Sequence, residues 1–174
     1  LSGLEGGDKW QYSINGSTYN SGATLASTVT TATLAASLFS QGSNTVTILE
    51  TDVAGNTVTN SFTYTLDTVA PATPTLALQT DSGLSTTDKI TNIGQVNLTG
   101  LENGDQLQYK INGGSYVTVS TVTGDVSITS GFSQGSNTVS VIETDVAGNT
   151  VTNSFTYTLD TVAPATPTLA LQTD

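Results

Sequence analysis

The chain has 174 residues, with fourteen carboxylates against three lysines, no Arg and no His, for a formal net charge of −11. That charge repels phosphate backbones and anionic headgroups, which excludes nucleic acid and anionic membranes as partners and makes cations the natural counterpart. Without Cys or His there are no disulfides, thiolate sites or imidazole ligands, so only hard, oxygen-ligated ions fit, and no apolar run approaches a bilayer span.

Residues Glu50 to Asp81 and Glu143 to Asp174 are the same string, ETDVAGNTVTNSFTYTLDTVAPATPTLALQTD, at an offset of 93 residues. A period of that size suits one β-sandwich module, so the chain reads as a window on a tandem array. Residues 1–66 are expected to be a module lacking strand A and most of strand B. Residues 67–159 form a complete module, and residues 160–174 a linker and strand A of a third. Leu1 begins inside a repeat rather than at a signal sequence, so the natural start is expected elsewhere.

In chain order, Leu1 to Leu4 match the end of strand B, and Trp10 falls in strand C, where a buried aromatic is expected. Asn15-Gly16 suits a two-residue hairpin because both positions accept positive φ, and Asn112-Gly113 repeats it. Tyr19 aligns with Tyr116 at an offset of 97 and Phe39 with Phe132 at 93, so four extra residues are expected within 20–38. Phe62, Tyr64 and Leu66 alternate with Thr63 and Thr65, the period of a strand with one buried face. The complete module then gives strands A near 75–79, B near 95–101, C near 106–112, C′ near 115–120, E near 125–129, F near 137–143 and G near 150–159. Leu107 takes the place of Trp10. Nothing has helical spacing, and the fold class expected is all-β: Ig-like sandwiches of about seven strands, end to end.

This topology gathers the acids at two poles. At the entrance of the complete module lie Asp67 in the linker, Glu102 and Asp105 in the BC loop, and Glu143, Asp145 and Asn149 around the FG loop. At its exit lie Asp81 and Asp88 in the AB loop and Asp160 in the next linker. The first module repeats the entrance set as Glu5, Asp8, Glu50, Asp52 and Asn56. Clustered carboxylates repel one another unless a cation intervenes, and Ca²⁺ accepts six to eight oxygens in irregular geometry. The competing explanation is that Asp, Asn and Gly satisfy turn backbone and the charge is solvated. Neither an EF-hand string nor a GGxGxD array is present, and Asn112-Gly113-Gly114 lacks the context of a phosphate loop. No nucleophile and base pair can be assembled, so an enzyme is not expected. Asn15 and Asn97 match the glycosylation acceptor pattern by composition alone.

The strings DTVAPATPTLALQTDSG, LENGDQ, ING and ETDVAGN, in that order, resemble the bacterial Ig-like repeats of giant RTX and biofilm-associated surface adhesins. The resemblance covers essentially the whole chain. It implies an extender stalk, secreted or on the cell surface, whose partners are neighbouring repeats of the same chain, with Ca²⁺ at module junctions matching Asp67, Asp81, Asp88, Asp145 and Asp160. The missing AB loop of the first module puts a full site at Asp67 in doubt. A strand of roughly ten residues spans about 33 Å, so each module and linker adds on the order of 40 Å. The rival readings are a fibre subunit polymerising by strand donation from residues 161–174, and a low-affinity module gripping glycan or protein through its loops.

Overall fold

The computed structural model describes residues 1–24 and 30–171. Part of the insertion expected within 20–38, and the last three residues of the expected third strand A, lie outside them. The chain divides into two compact units, Leu1–Thr68 and Val69–Asp174.

The first unit contains β1 (Lys9–Ile14), β2 (Asn20–Thr24), a 3₁₀ turn (Ala36–Leu38), β3 (Gly42–Thr51) and β4 (Thr57–Leu66). They form one antiparallel sheet in the order β2-β1-β3-β4. Asn15 and Gly16 take φ of 51° and 73° and reverse the chain after β1, the left-handed pair that a tight hairpin requires. Opposite this sheet, the described residues supply only a remnant. Ser2 bridges Thr31, the Leu4 amide donates to Thr30 O at 3.2 Å, and the Ala32 amide donates to Leu1 O at 3.3 Å. Leu4 and Trp10 are buried there, with Tyr12, Ala32, Leu34 and Ile48 packed beside them.

The second unit contains β5 (Thr75–Leu78), β6 (Ile90–Thr91), β7 (Val96–Thr99), β8 (Gln106–Ile111), β9 (Val117–Thr121), β10 (Val126–Ile128), β11 (Gly135–Thr144) and β12 (Thr150–Leu159). One sheet has the order β10-β7-β5 and the other β6-β12-β11-β8-β9. Leu76, Val96, Leu98 and Ile128 from the first pack with Leu107, Val139, Val141, Tyr157 and Leu159 from the second in one core, which makes this unit a two-layer sandwich. Burying that apolar surface is its main driving force. The Tyr157 hydroxyl is buried without a partner, and burial pushes its pKa up to about 12.

The seven strands expected between 75 and 159 are present, with boundaries moved by a few residues. An eighth, β6, lies inside the segment read as a simple AB loop and pairs in parallel with the end of β12, Ile90 against Thr158 and Thr91 against Leu159. Two residues are too few to show a period. Residues 168–171 repeat the β5 sequence yet form no strand, whereas β5 itself pairs with β7.

Alternating strand direction sends the loops at 100–105, 122–125 and 145–149 to one pole and those at 79–89, 112–116 and 129–134 to the other. Amides stitch each pole: Gly104 donates to Val122 O and Val122 to Asp105 O, both at 2.9 Å, while Asp160 donates to Thr91 O at 2.8 Å. Asn137 pins β11 to the preceding loop. Its Oδ1 accepts from the Ser133 amide and Asn112 Nδ2, and its Nδ2 donates to the carbonyls of Ser133 and Gly135. Because the side chain is fully buried, Asn137→Ala strands those partners without water. It is expected to destabilise the second unit by about 2–4 kcal/mol in urea unfolding, and a loss below about 0.5 kcal/mol would show the pin to be dispensable.

Candidate metal centre at the module poles

Glu143 is not a loop residue. It stands in β11 on the face that carries Asn137, Val139 and Val141, because a strand's period of two continues that buried row, and its side chain is 0% exposed. Its Oε1 accepts from the Glu102 amide at 2.7 Å, while its Oε2 is buried with no hydrogen-bond partner. Asp105 is also buried, and its Oδ2 likewise lacks a partner. Glu102 turns its Oε1 to the Ala72 amide at 2.8 Å, fastening the incoming linker. Burial, then the negative charges of Asp105 and Glu102, raise the pKa of Glu143 against the lowering effect of the Glu102 amide. Burial, then Glu102 and Asp145, raise that of Asp105. Four expected residues of the entrance set, Glu102, Asp105, Glu143 and Asp145, thus share one electrostatic neighbourhood.

Asp145 and Asn149 serve the turn. Asp145 Oδ1 accepts from the Asn149 amide and Oδ2 from Asn149 Nδ2, both at 2.8 Å, and these bonds hold the Asp145 pKa below its ordinary value. Asp52 and Asn56 do the same in the first unit, both bonds at 2.7 Å. There the Glu5 amide donates to Glu50 Oε1 at 2.6 Å, the counterpart of the Glu102–Glu143 bond. Glu5, Asp8, Glu50, Asp52 and Asn56 line one depression of about 210 Å³. The first unit therefore brings its whole expected set together.

Asp67 belongs to the first unit, where its Oδ1 accepts from Gln41 Nε2 at 2.7 Å and Gln41 Oε1 accepts from the Thr68 amide at 2.9 Å. Asp160 repeats this with Gln134 at 2.7 Å, which, with the Val162 amide, lowers its pKa. At the exit pole Asp81 Oδ2 accepts from the Lys89 amide and Asp88 Oδ1 from the Ile90 amide, both at 3.0 Å. Asp81 Oδ1 is buried without a partner. Asp88 and Asp160 line a common depression of about 290 Å³ with Ser82, Thr91 and Asn92. Those three are tied by Ser82 Oγ, 2.9 Å from Thr91 Oγ1 and 2.7 Å from Asn92 Oδ1, an arrangement without a sequence signal. The burial of Glu143 did have one, the alternation Val139, Val141, Glu143.

Among the described residues no three acidic side chains are already drawn together tightly enough to hold a metal ion. The orphaned oxygens of Asp105 and Glu143 are nonetheless hard donors buried at one pole, the donor chemistry that suits Ca²⁺. Two lysines lie over aromatic rings, Lys89 Nζ at 5.2 Å from the Phe155 centroid and Lys110 Nζ at 4.7 Å from that of Tyr116.

The two-sheet sandwich with repeated acidic loops defines an immunoglobulin-like repeat. The chain belongs to the bacterial Ig-like domain family, whose model matches residues 68–161. No curated protein sequence matches it. Three solved structures are similar. A tetra-tandem repeat in the extending region of a large adhesion protein is 22% identical with a TM-score of 0.43, covering 92% of this chain and 44% of that one. A Ca²⁺-stabilized adhesin that helps an Antarctic bacterium reach out and bind ice is 23% identical with a TM-score of 0.41, covering 94% and 42%. A 1.5-MDa bacterial ice-binding adhesin is 25% identical with a TM-score of 0.40, covering 91% and 54%. The chain spans about half, or less, of the length of these solved chains.

The shifts give a stability profile with a maximum. Asp105 and Glu143 bind protons more tightly folded than unfolded, so above their ordinary values of 3.8 and 4.5 stability falls as pH rises. Asp52, Asp145 and Asp160 have depressed values, and their contribution, present above 3.8, is lost as pH falls further. In chelator, the thermal midpoint is expected to rise on acidification toward the ordinary carboxylate range, as the raised pair takes up protons, and to drop on acidification below it. A monotonic fall from neutrality would contradict the raised pair.

Proposed function

We propose that the chain is a stretch of an extender stalk of a bacterial surface adhesin, lying outside the cell, and that calcium at the module poles stiffens it. The observation that carries the calcium reading is the pair of buried, unpartnered carboxylate oxygens, Asp105 Oδ2 and Glu143 Oε2. Two like charges held out of water are costly, and a divalent cation would supply the compensating charge. In this reading Asp105 and Glu143 are the inner ligands, with Glu102 and Asp145 at the rim. Glu5, Asp8, Glu50 and Asp52, with Asn56, form the corresponding set in the first module. Asp81, Asp88 and Asp160 supply oxygens at the exit pole.

The extender role rests on repetition and on the linker. Thr68 is held by Gln41 in the first unit, and Ala72 by Glu102 in the second. Pro71 and Pro74 are buried, and Pro74 O accepts from Asn153 Nδ2 at 2.8 Å. A segment so short and so restricted in φ spaces modules more stiffly than a Gly/Ser tether.

The test is thermal unfolding of the chelated chain during calcium titration. Saturable stabilisation is expected, about 2.7 kcal/mol when calcium exceeds its dissociation constant a hundredfold. The double variant Asp105→Asn, Glu143→Gln keeps the shape and the acceptor for the Glu102 amide while removing both buried charges. It should melt higher than the parent in chelator and lose the second unit's share of the calcium response. An unresponsive parent, or an unchanged response in the double variant, would overturn the assignment.

A further inference from the structure

Three Asn-Gly pairs occur in the sequence, Asn15-Gly16, Asn103-Gly104 and Asn112-Gly113. A glycine has no Cβ to keep its nitrogen away from the preceding side-chain carbon, so these are the places where an asparagine can react with its own main chain. In two of the three the carboxamide is held at both ends. Asn112 Oδ1 accepts from the Thr138 amide at 2.8 Å, and its Nδ2 donates to Asn137 Oδ1 at 3.0 Å. Asn15 repeats this with the Thr45 amide at 2.7 Å and Asn44 Oδ1 at 3.5 Å. Those bonds commit both carboxamides to the neighbouring strand. Asn103 differs: it is exposed, and among the described residues its side chain has no hydrogen bond. It stands in the turn from Glu102 to Asp105, closed by the Asp105 amide donating to Glu102 O at 3.3 Å, in which Gly104 takes a φ of 102°. The space beside Gly104 is open.

We propose that Asn103-Gly104 is a self-modification site, at which the free carboxamide deamidates and adds a carboxylate to the entrance pole. The Gly104 nitrogen gives its proton to hydroxide and bonds to Asn103 Cγ. The Cγ–Nδ2 bond breaks, and Nδ2 takes a proton from water and leaves as ammonia. Water then opens the five-membered imide at either carbonyl, giving aspartate or isoaspartate. The net change is amide and water to acid and ammonia, with no oxidant or reductant. One bond opposes it: the Gly104 amide donates to Val122 O at 2.9 Å and has to open first. That is a single bond at an exposed turn, whereas Asn15 and Asn112 each have to give up two side-chain bonds. The new charge falls between Glu102 and Asp105, in the electrostatic neighbourhood of Glu143 and Asp145. The isoaspartyl form also lengthens the main chain there, next to the bond by which the Val122 amide donates to Asp105 O at 2.9 Å. The corresponding turn of the first unit, Glu5-Gly6-Gly7-Asp8, has no asparagine, so its acidic set is spared. This inference does not depend on a cation at the pole.

The test is peptide mapping by mass spectrometry of the folded 174-residue chain, aged in chelator at mildly alkaline pH, with a urea-unfolded sample aged alongside. In the folded chain the mass increment of an amide-to-acid conversion is expected at Asn103 several-fold faster than at Asn15 or Asn112. Unfolding removes the bonds that hold those two, so in urea the three rates should converge. Isoelectric focusing of the aged folded chain should show a more acidic species, and Asn103→Gln, whose longer side chain closes a ring less readily, should form several-fold less of it. Asn15 or Asn112 converting as fast as Asn103 in the folded chain would overturn the proposal. So would an Asn103 that stays intact when folded while the unfolded sample converts.

Discussion

A carboxylate on the buried row of a strand is the constraint around which the entrance pole of the module is organised. In β11 the period of two that places Val139 and Val141 in the core places Glu143 at the end of the same row, where water does not reach it. One of its oxygens is answered by the Glu102 amide, which orders the loop leading into β8. Glu102 in turn holds Ala72 of the linker. The path from core strand to linker thus runs through one buried acid, and its second oxygen, with that of Asp105, sets the electrostatic condition of the pole.

The repeated string explains why the same device occurs twice. Glu50 and the Glu5 amide reproduce the Glu143–Glu102 bond, Asp52 and Asn56 reproduce Asp145 and Asn149, and Gln41 with Thr68 reproduces Gln134 with Thr161. Local hydrogen bonding is therefore specified within a few residues and does not need a complete sandwich. The core does need one. With two sheets the second unit buries Leu98, Leu107 and Val139 completely, whereas in the first unit the buried cluster shrinks to Leu4 and Trp10 with partly covered neighbours. The difference lies in the opposite layer, of which the described residues of the first unit supply only a remnant, since β4 and β12 have the same sequence.

Much of this was legible in the sequence because β structure announces itself by alternation and by turn chemistry. Phe62, Tyr64 and Leu66 set the face of β4, and Asn112-Gly113 set the reversal between β8 and β9. The short strand β6 was not legible: Ile90 and Thr91 are ordered by a partner in β12, far along the chain. The grouping of Glu102, Asp105, Glu143 and Asp145 followed from topology, but which of them would be buried depended on strand limits. β11 runs to Thr144 and carries Glu143, at the end of the expected strand F, on its buried row, and the role of Asp145 narrows to holding Asn149 and the turn. The Asp-to-Asn bonds are turn chemistry, while the orphaned oxygens of Asp105 and Glu143 are not accounted for by turns.

The measurement that bears most directly on the calcium account is a crystal structure of the 174-residue chain grown with calcium at neutral pH. The account predicts an ion bonded to Asp105 Oδ2 and Glu143 Oε2, with oxygens from Glu102, the linker or water completing six to eight ligands at about 2.3–2.6 Å. Density showing those two oxygens within hydrogen-bonding distance of each other, sharing a proton and with no ion between them, would contradict it.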